Sequence, residues 1–250
     1  MHASFYNGVS GMIAYQESIN RISHNIANSN TVGFKPGRST FSELLYTQME
    51  VNSEEKPLAG HGVKIEDSQL IYRQGPVIQT GNPLDFALLG SGFFAVQRPD
   101  GAIEYTRSGA FHISAEGNKG YLVTADGSHV LNSRGKPIEL KRESKNSPFD
   151  VEGLQEQLGV YDFPNPYSLE PTNGGCFRET EASGGGKAVS AGKKGSSQRE
   201  YQILQSALEQ SAVELSDEMV GVISAQKAFQ FNAKMVQTAD ELEQIINNLR

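Results

Sequence analysis

A seven-residue apolar repeat near the C-terminal end is the feature that most constrains how this chain can fold. Its positions are Leu208, Leu215, Val222, Phe229 and Val236, with Met219 between them and, after a shift of phase, Leu242, Ile246 and Leu249. A repeat sustained this far predicts a long helix within residues 206–250 that presents a coiled-coil seam. Ser216 suits the N-cap, because Asp217 and Glu218 follow in the first turn. Such a helix exposes too much apolar surface to stand alone and therefore needs a partner.

A second, shorter seam lies at the other end of the chain. Its positions are Phe5, Met12, Ile19 and Ile26, with Tyr15 and Ile22 between them, over roughly residues 4–27. Two interpretations are open. The two helices can close one ordinary helical core within a molecule, or the uncovered part of the longer seam can pack on neighbouring copies. Seams at both ends of a chain, flanking a non-helical middle, favour the second interpretation.

Composition narrows the class of protein. The chain has 250 residues and a formal charge of −7, without the basic footprint of a nucleic-acid binder. Its one cysteine, Cys176, excludes an internal disulfide framework. No apolar run approaches the roughly 18 residues of a membrane span, and no basic, apolar leader indicates a cleaved signal peptide. We therefore expect no membrane insertion and no ordinary secretory signal.

The order of segments predicts an α+β protein with an antiparallel all-β domain inserted between two terminal helices. We assign residues 1–35 to the N-terminal helix and its exit, 36–80 to an extended connector arm, 81–200 to the β domain, and 201–250 to the C-terminal helix. Within the arm, residues 49–62 indicate a loop. Asp100-Gly101 and Asp126-Gly127 are hairpin signals. The β domain is expected to be a meander that forms a small sandwich or barrel, and the Gly/Ser/Lys-rich stretch 174–197 is expected to form loops.

No catalytic or metal-binding constellation is visible. The five histidines show no spacing typical of a metal site. Gly90-Ser91-Gly92 lies between predicted strands, which favours a tight turn over a dinucleotide-binding loop. Asp85 follows a turn, where a carboxylate most simply caps backbone amides. We therefore expect no catalytic residue, no metal and no cofactor.

Several motifs nevertheless resemble one family, the flagellar axial proteins, which are the rod and hook subunits. The similar residues at the end of the first helix are Asn25, Ala27, Asn28, Asn30, Thr31, Gly33, Phe34 and Lys35. Those in the middle of the chain are Gly81, Asn82, Leu84, Asp85, Gly90, Gly92, Phe93, Phe94, Tyr105, Thr106, Arg107 and Gly109. The stretch from Glu218 to Glu241 completes the resemblance in family order, whereas residues 141–200 show little of it.

The resemblance implies a structural subunit of the bacterial flagellar basal-body rod, without enzymatic activity. Its partners would be copies of itself, other rod and hook subunits, and the flagellar type III export apparatus. The terminal helices would build a helical tube that acts as drive shaft and export channel, with the β domain outside. Length and the single β domain favour the distal rod type or its proximal relative. A carbohydrate- or peptidoglycan-binding module is the alternative function. Removing residues 1–30 and 206–250 is expected to leave a folded, β-rich monomer.

Overall fold

The computed structural model describes residues 3–48, 58–116, 119–140, 149, 151, 153–189 and 201–249. Its helices are α1 (Ala3–Ala27), α2 (Leu154–Gln157) and α3 (Leu215–Asn248). Its first strands are β1 (Gly37–Glu43), β2 (Tyr46–Gln48), β3 (Leu58–Gly60), β4 (Val63–Leu70), β5 (Val77–Gln79), β6 (Phe86–Leu89), β7 (Phe93–Gln97), β8 (Ile103–Thr106) and β9 (His112–Glu116). The others are β10 (Lys119–Val123), β11 (His129–Val130), β12 (Glu139–Leu140), β13 (Val160–Asp162), β14 (Glu170–Pro171), β15 (Cys176–Arg178), β16 (Lys187–Val189), β17 (Gln202–Gln205) and β18 (Ala207–Glu209).

The chain divides into two compact units. The helical unit comprises Met1–Asn28, Pro36–Ile71 and Val213–Arg250. The β unit comprises Ser29–Lys35 and Tyr72–Ala212. Each unit therefore contains segments from both halves of the sequence. None of the described helices combines the length and the apolar character that a membrane span requires.

The helical unit joins α1 and α3 to a β-hairpin. Strands β1 and β4 pair antiparallel over their full lengths, with a register shift after Thr40. The hairpin packs on α1: the rings of Tyr15 and Phe41 lie 5.3 Å apart, and Arg21 Nε donates to Ser39 Oγ at 3.1 Å. The segment 36–80 was predicted to be an extended arm, so this packing is a correction. Residues 49–57 of the predicted loop lie outside the described part of the chain.

The observed end of α1 agrees with the prediction, whereas the observed start of α3 differs from it. Helix α1 ends at Ala27, as expected, and the Asn28 amide nitrogen then donates to His24 O at 3.2 Å. Residues 201–214, which were assigned to the C-terminal helix, are not helical, and α3 begins at Leu215, two residues before the start that an N-cap at Ser216 implies. Glu214 occupies the N-cap without a side-chain bond. The prediction that Ser216 is the N-cap is therefore wrong. Residues 202–209 form β17 and β18 instead, because β17 pairs with β6 and β18 pairs with β5.

The β unit is built on a branched antiparallel sheet. Its central order is β12-β10-β11-β7-β8-β15-β14, with β9 beside β10, β13 beside β7, and β16 beside β13. The fully buried core includes Phe86, Leu88, Phe94, Phe111 and Leu122. The antiparallel β region between terminal helices is thus confirmed, whereas closure into a sandwich or barrel stays a prediction.

The predicted turns are largely observed. Gly101 and Gly127 both have positive φ, at 87° and 78°, and each amide closes its turn on the carbonyl three residues earlier. Residues 117 and 118 of another predicted turn lie outside the described part of the chain. The stretch 174–197 was predicted to be loops, but β15 and β16 lie within it. Residues 190–200 are not described.

Candidate assembly surface and buried charge cluster

The two long helices pack antiparallel at short range. A Cβ added to Gly8 would lie 2.8 Å from Val236 Cγ2 and 3.3 Å from the Asn232 carbonyl oxygen. At the other end of the pair, Asn25 Nδ2 donates to Glu218 Oε1 at 2.9 Å. Glycine therefore allows the backbones to approach where a larger side chain would separate them. A coiled-coil supercoil stays a prediction.

The predicted seam residues fall into three groups. Half-buried in the helical unit are Met12, Tyr15, Ile19, Ile22, Ile26, Val222, Phe229 and Val236. Exposed are Phe5, Leu215, Met219, Leu242, Ile246 and Leu249. Leu208 belongs to β18, so its assignment to the helical seam is wrong. Its heptad spacing is coincidental, because five residues separate β18 from α3 and strand pairing with β5 positions the residues of β18.

Helix α3 also presents an apolar face, most of which the heptad repeat did not predict. We define the outer face of α3 as Val220, Ile223, Phe231, Met235, Leu242, Ile245 and Leu249, all more than half exposed. Phe231 is 69% exposed and Val220 67%. Leu242 and Leu249 belong to the predicted seam, whereas the other five residues of the outer face lie outside the repeat as it was predicted. Water-exposed side chains of this size in one patch are typical of an interaction surface.

The end of α3 extends beyond α1. Gly8 lies opposite Val236, and α1 begins at Ala3, only about one and a half turns before Gly8. Helix α3 continues to Asn248, more than three turns past Val236 at about 3.6 residues per turn. The last turns of α3 therefore carry apolar residues that α1 is too short to cover.

The β unit contains a buried charge cluster formed by Lys35, Arg107 and Glu209. Lys35 Nζ donates to Glu209 Oε1 at 2.6 Å, and Arg107 Nη1 donates to Glu209 Oε2 at 3.2 Å. The Gly75 amide donates to Glu209 Oε1 at 2.9 Å. The Glu209 side chain is fully buried, and the Lys35 side chain is 1% exposed. The carboxylate therefore exchanges hydration for three protein donors.

Backbone carbonyls accept further hydrogen bonds from both cations. Lys35 Nζ also donates to Arg73 O at 2.7 Å. Arg107 Nη2 donates to Gly90 O at 2.6 Å, Nη1 donates to Leu88 O at 3.1 Å, and the guanidinium lies 5.5 Å from the centre of the Phe93 ring. Burial lowers the pKa of Lys35, and the neighbouring Glu209 carboxylate opposes that shift. Burial likewise lowers the pKa of Arg107, against the effect of Glu209.

Glycine lets two segments of the β unit meet beside this cluster. Gly33 has φ +69°, and a Cβ there would lie 2.7 Å from both Arg107 C and Ser108 N. The Gly33 amide donates to Glu209 O at 2.8 Å, and the Ala212 amide donates to Phe34 O at 3.1 Å. The motif at residues 33–35 is therefore held between the chain around Arg107 and the chain after Glu209.

The other residues of the motifs that carry the family resemblance lie near the end of α1 or in the β unit. Asn25 is buried in the helical unit and pairs with both backbone groups of Gly37. Asp85 accepts from Thr80 Oγ1 at 2.6 Å and from Asn82 Nδ2 at 3.1 Å. Its partners are therefore side chains rather than the backbone amides that we expected. Ala27, Asn28, Asn30 and Thr31 lie at the end of α1 and in the turn after it. Buried or half-buried in the β unit are Phe34, Leu84, Gly90, Gly92, Phe93, Phe94, Tyr105, Thr106 and Gly109, whereas Gly81 is exposed.

Sequence reasoning missed Glu209 because the heptad repeat placed it on a helix surface. Its only signal was an acidic residue between Leu208 and Ala212, in a stretch otherwise assigned to the seam. In the part of the chain that the structure describes, no group of three or more His, Cys, Asp or Glu residues could hold a metal ion. The cluster has its acceptors occupied by protein donors, so its geometry suits a structural role.

The sequence also matches known protein families and relatives. Residues 5–35 match the family model "Flagella basal body rod protein", residues 87–154 match "Flagellar hook protein FlgE/F/G D1 domain", and residues 204–249 match "Flagellar basal body rod FlgEFG protein C-terminal". A flagellar basal-body rod protein FlgG of Bacillus subtilis is 33% identical over 270 residues, covering 100% of each chain. The chain belongs to the flagellar basal-body rod protein family.

Other members of this family are similarly related. The FlgG protein of Borreliella burgdorferi is 32% identical over 100% of this chain and 99% of its own length. That of Agrobacterium fabrum is 34% identical over 95% of each chain. Lys35, Arg107 and Glu209 each fall in a different one of the three matched regions. The rod-family regions therefore meet in one buried cluster, and the expected resemblance to flagellar axial proteins is confirmed.

Proposed function

We propose that this rod-family subunit polymerises through its terminal helices, with copies of itself and with other axial subunits, into a helical tube. The tube would act as drive shaft and export channel of the flagellar basal body. Subunits would reach it through the flagellar type III export apparatus. The role is structural and uses neither catalysis nor a cofactor. Family membership supports the structural role in the rod, and it gives no support to the alternative of a carbohydrate-binding module.

The observation that carries the proposal is the outer face of α3. Helix α1 already pairs with α3, yet large side chains such as Phe231 and Leu249 remain 69% and 83% exposed. Fully burying a side chain of this size contributes roughly 1.5–3 kcal/mol. Several such residues on one helix provide the driving force for association, and identical subunits joined head to tail form an open filament.

The decisive experiment changes one residue of the outer face. Phe231→Asp is expected to prevent polymerisation of purified full-length protein at concentrations where the wild type sediments, because it places a charge in the contact. Gln230→Asp is the matched control, since Gln230 is an exposed neighbour on the same helix and the substitution adds the same charge. The control is expected to polymerise as the wild type does.

The readouts must separate assembly from folding. Circular dichroism is expected to show the same helix content for Phe231→Asp and wild-type monomers, because the Phe231 side chain is 69% exposed. Polymerisation of Phe231→Asp at the wild-type critical concentration would refute the proposed contact. A deletion test must spare residues 206–212, because removing them, as the sequence alone suggested, would delete Glu209 from the β unit.

A further inference from the structure

The bonds of the buried charge cluster join residues that are far apart in the sequence. Glu209 pairs with Lys35 across 174 positions, with Gly75 across 134 and with Arg107 across 102. A second buried carboxylate of the β unit, Glu104, has one partner that is close in sequence. It pairs with Arg98 six positions away and with Arg178 across 74 positions.

Two physical effects oppose early formation of the Glu209 bonds. Bringing distant residues together requires ordering a long intervening chain, whose entropy is lost before any contact forms. The free-energy cost of removing charges from water is offset only when their partners and hydrogen bonds are already in place. Until the surrounding chain has packed, Lys35, Arg107 and Glu209 are more stable separately hydrated.

The surroundings of Arg107 indicate which elements must come first. Its guanidinium donates to Leu88 O and Gly90 O and lies over the Phe93 ring. Leu88 belongs to β6 and Phe93 to β7, so these strands must be positioned before the cluster has its geometry. The described pairings among strands β7 to β12, in contrast, span no more than the 34 positions between Val96 and Val130.

We propose that the Lys35–Glu209–Arg107 cluster is a clasp that closes last in the folding of the β unit. The local strands of the sheet form first, and residues 29–35 and 202–212 join afterwards. Completion of the β unit therefore depends on a carboxylate near the end of the chain. The clasp acts within a single molecule, so it is independent of the proposed polymerisation.

Pulse-labelling hydrogen exchange during refolding of the full-length wild-type chain tests this order. The amides of Gly33, Gly75 and Ala212 report on the clasp, because they donate to Glu209 O, Glu209 Oε1 and Phe34 O. The amides of Leu122 and Leu131 report on the sheet, because they donate to Ile138 O and Ala95 O. We expect the sheet amides to gain protection at least about fivefold faster. Equal time courses, or earlier protection of the clasp amides, would overturn the proposal.

A matched pair of variants provides the second measurement. Glu209→Gln is expected to raise the unfolding rate at least about tenfold and to change the folding rate by less than about twofold, since its contacts are absent from the transition state. Glu104→Gln removes an equally buried carboxylate that pairs with Arg98 six positions away as well as with Arg178, and it is expected to slow folding. If Glu209→Gln slows folding as strongly as it speeds unfolding, the clasp forms early and the proposal is wrong. Should Glu209→Gln fail to fold, the wild-type labelling decides the question.

Discussion

Lys35 Nζ lies 2.6 Å from Glu209 Oε1, although 174 positions separate the two residues and both side chains are shielded from solvent. Arg107 contributes the second cation, so two positive groups share one carboxylate. Removing one member of such a cluster leaves a buried charge without its partner, which is more costly than never having buried the group. The stability of the β unit is therefore expected to depend on residues that its sheet does not contain.

Lys35→Met is expected to destabilise the β unit by roughly 3–5 kcal/mol, because Glu209 loses one of its two cations. Urea unfolding followed by tyrosine fluorescence measures the change. The control is Lys119→Met, which removes an exposed ion pair with Glu139 and should leave the unfolding midpoint unchanged. In the double variant with Glu209→Gln, the two effects should fall short of additivity by about 1–3 kcal/mol. Additive effects would show that Lys35 and Glu209 are not coupled.

Gly33→Ala is expected to lower the free energy of unfolding by at least about 2 kcal/mol. The new Cβ would occupy a left-handed backbone position and would lie 2.7 Å from Arg107 C, so conformational strain and a steric clash combine. Gly81→Ala is the matched control, because Gly81 has φ +75° but no heavy atom within 4 Å of the added Cβ. It should carry only the conformational cost of about 1 kcal/mol. Equal losses in both variants would mean that the close approach at Gly33 is unimportant.

The β unit is expected to lose stability above pH 10. Burial raises the pKa of Tyr72, Tyr105 and Tyr161 in the folded state. In the unfolded state the pKa of a tyrosine is about 10. Above that pH the unfolded state has lost protons that the folded state keeps. The free energy of unfolding therefore falls, by up to about 1.4 kcal/mol per pH unit for each tyrosine.

Lys35 acts in the opposite direction. The pKa of Lys35 is lowered in the folded state, so below its ordinary value of 10.5 the unfolded state holds the extra proton and stability rises with pH. Three tyrosines outweigh this one lysine once the pH exceeds 10. Urea unfolding at pH 9, 10 and 11 measures the slope. Tyr72→Phe and Tyr105→Phe should each make the decline shallower, and an unchanged slope in both would contradict the assignment.

Cys176 is expected to resist alkylation in the folded protein. Burial raises the pKa of its thiol to about 11, so only about one thousandth of it is thiolate at pH 8. Iodoacetamide labelling should accelerate about tenfold per pH unit below pH 11. The urea-unfolded chain is the control and should react readily, and because the chain contains one cysteine the signal is unambiguous. Labelling of the native protein at the unfolded rate would contradict the burial of this thiol.

Local signals predicted much of the structure. The end of α1 was predicted near residue 27, and Asn28 and Gly33, which come after it, tolerate the backbone conformations that end a helix. The hairpin at Gly101 followed from its dipeptide. The same reasoning failed at Leu208, where a residue at heptad spacing belongs to a strand. A seven-residue step is met by chance, and pairing with β5 outweighs helix periodicity there.

The sequence by itself determined the two apolar terminal helices, the antiparallel strands between them and the motifs that carry the family resemblance, since each depends on near neighbours in the chain. Only the tertiary structure decided that β17 and β18 belong to the β unit, that α3 has an uncovered outer face, and that Lys35, Arg107 and Glu209 meet. Local spacing carries no information about which distant residues become neighbours. A buried charge finds its counterion only when packing brings the two together.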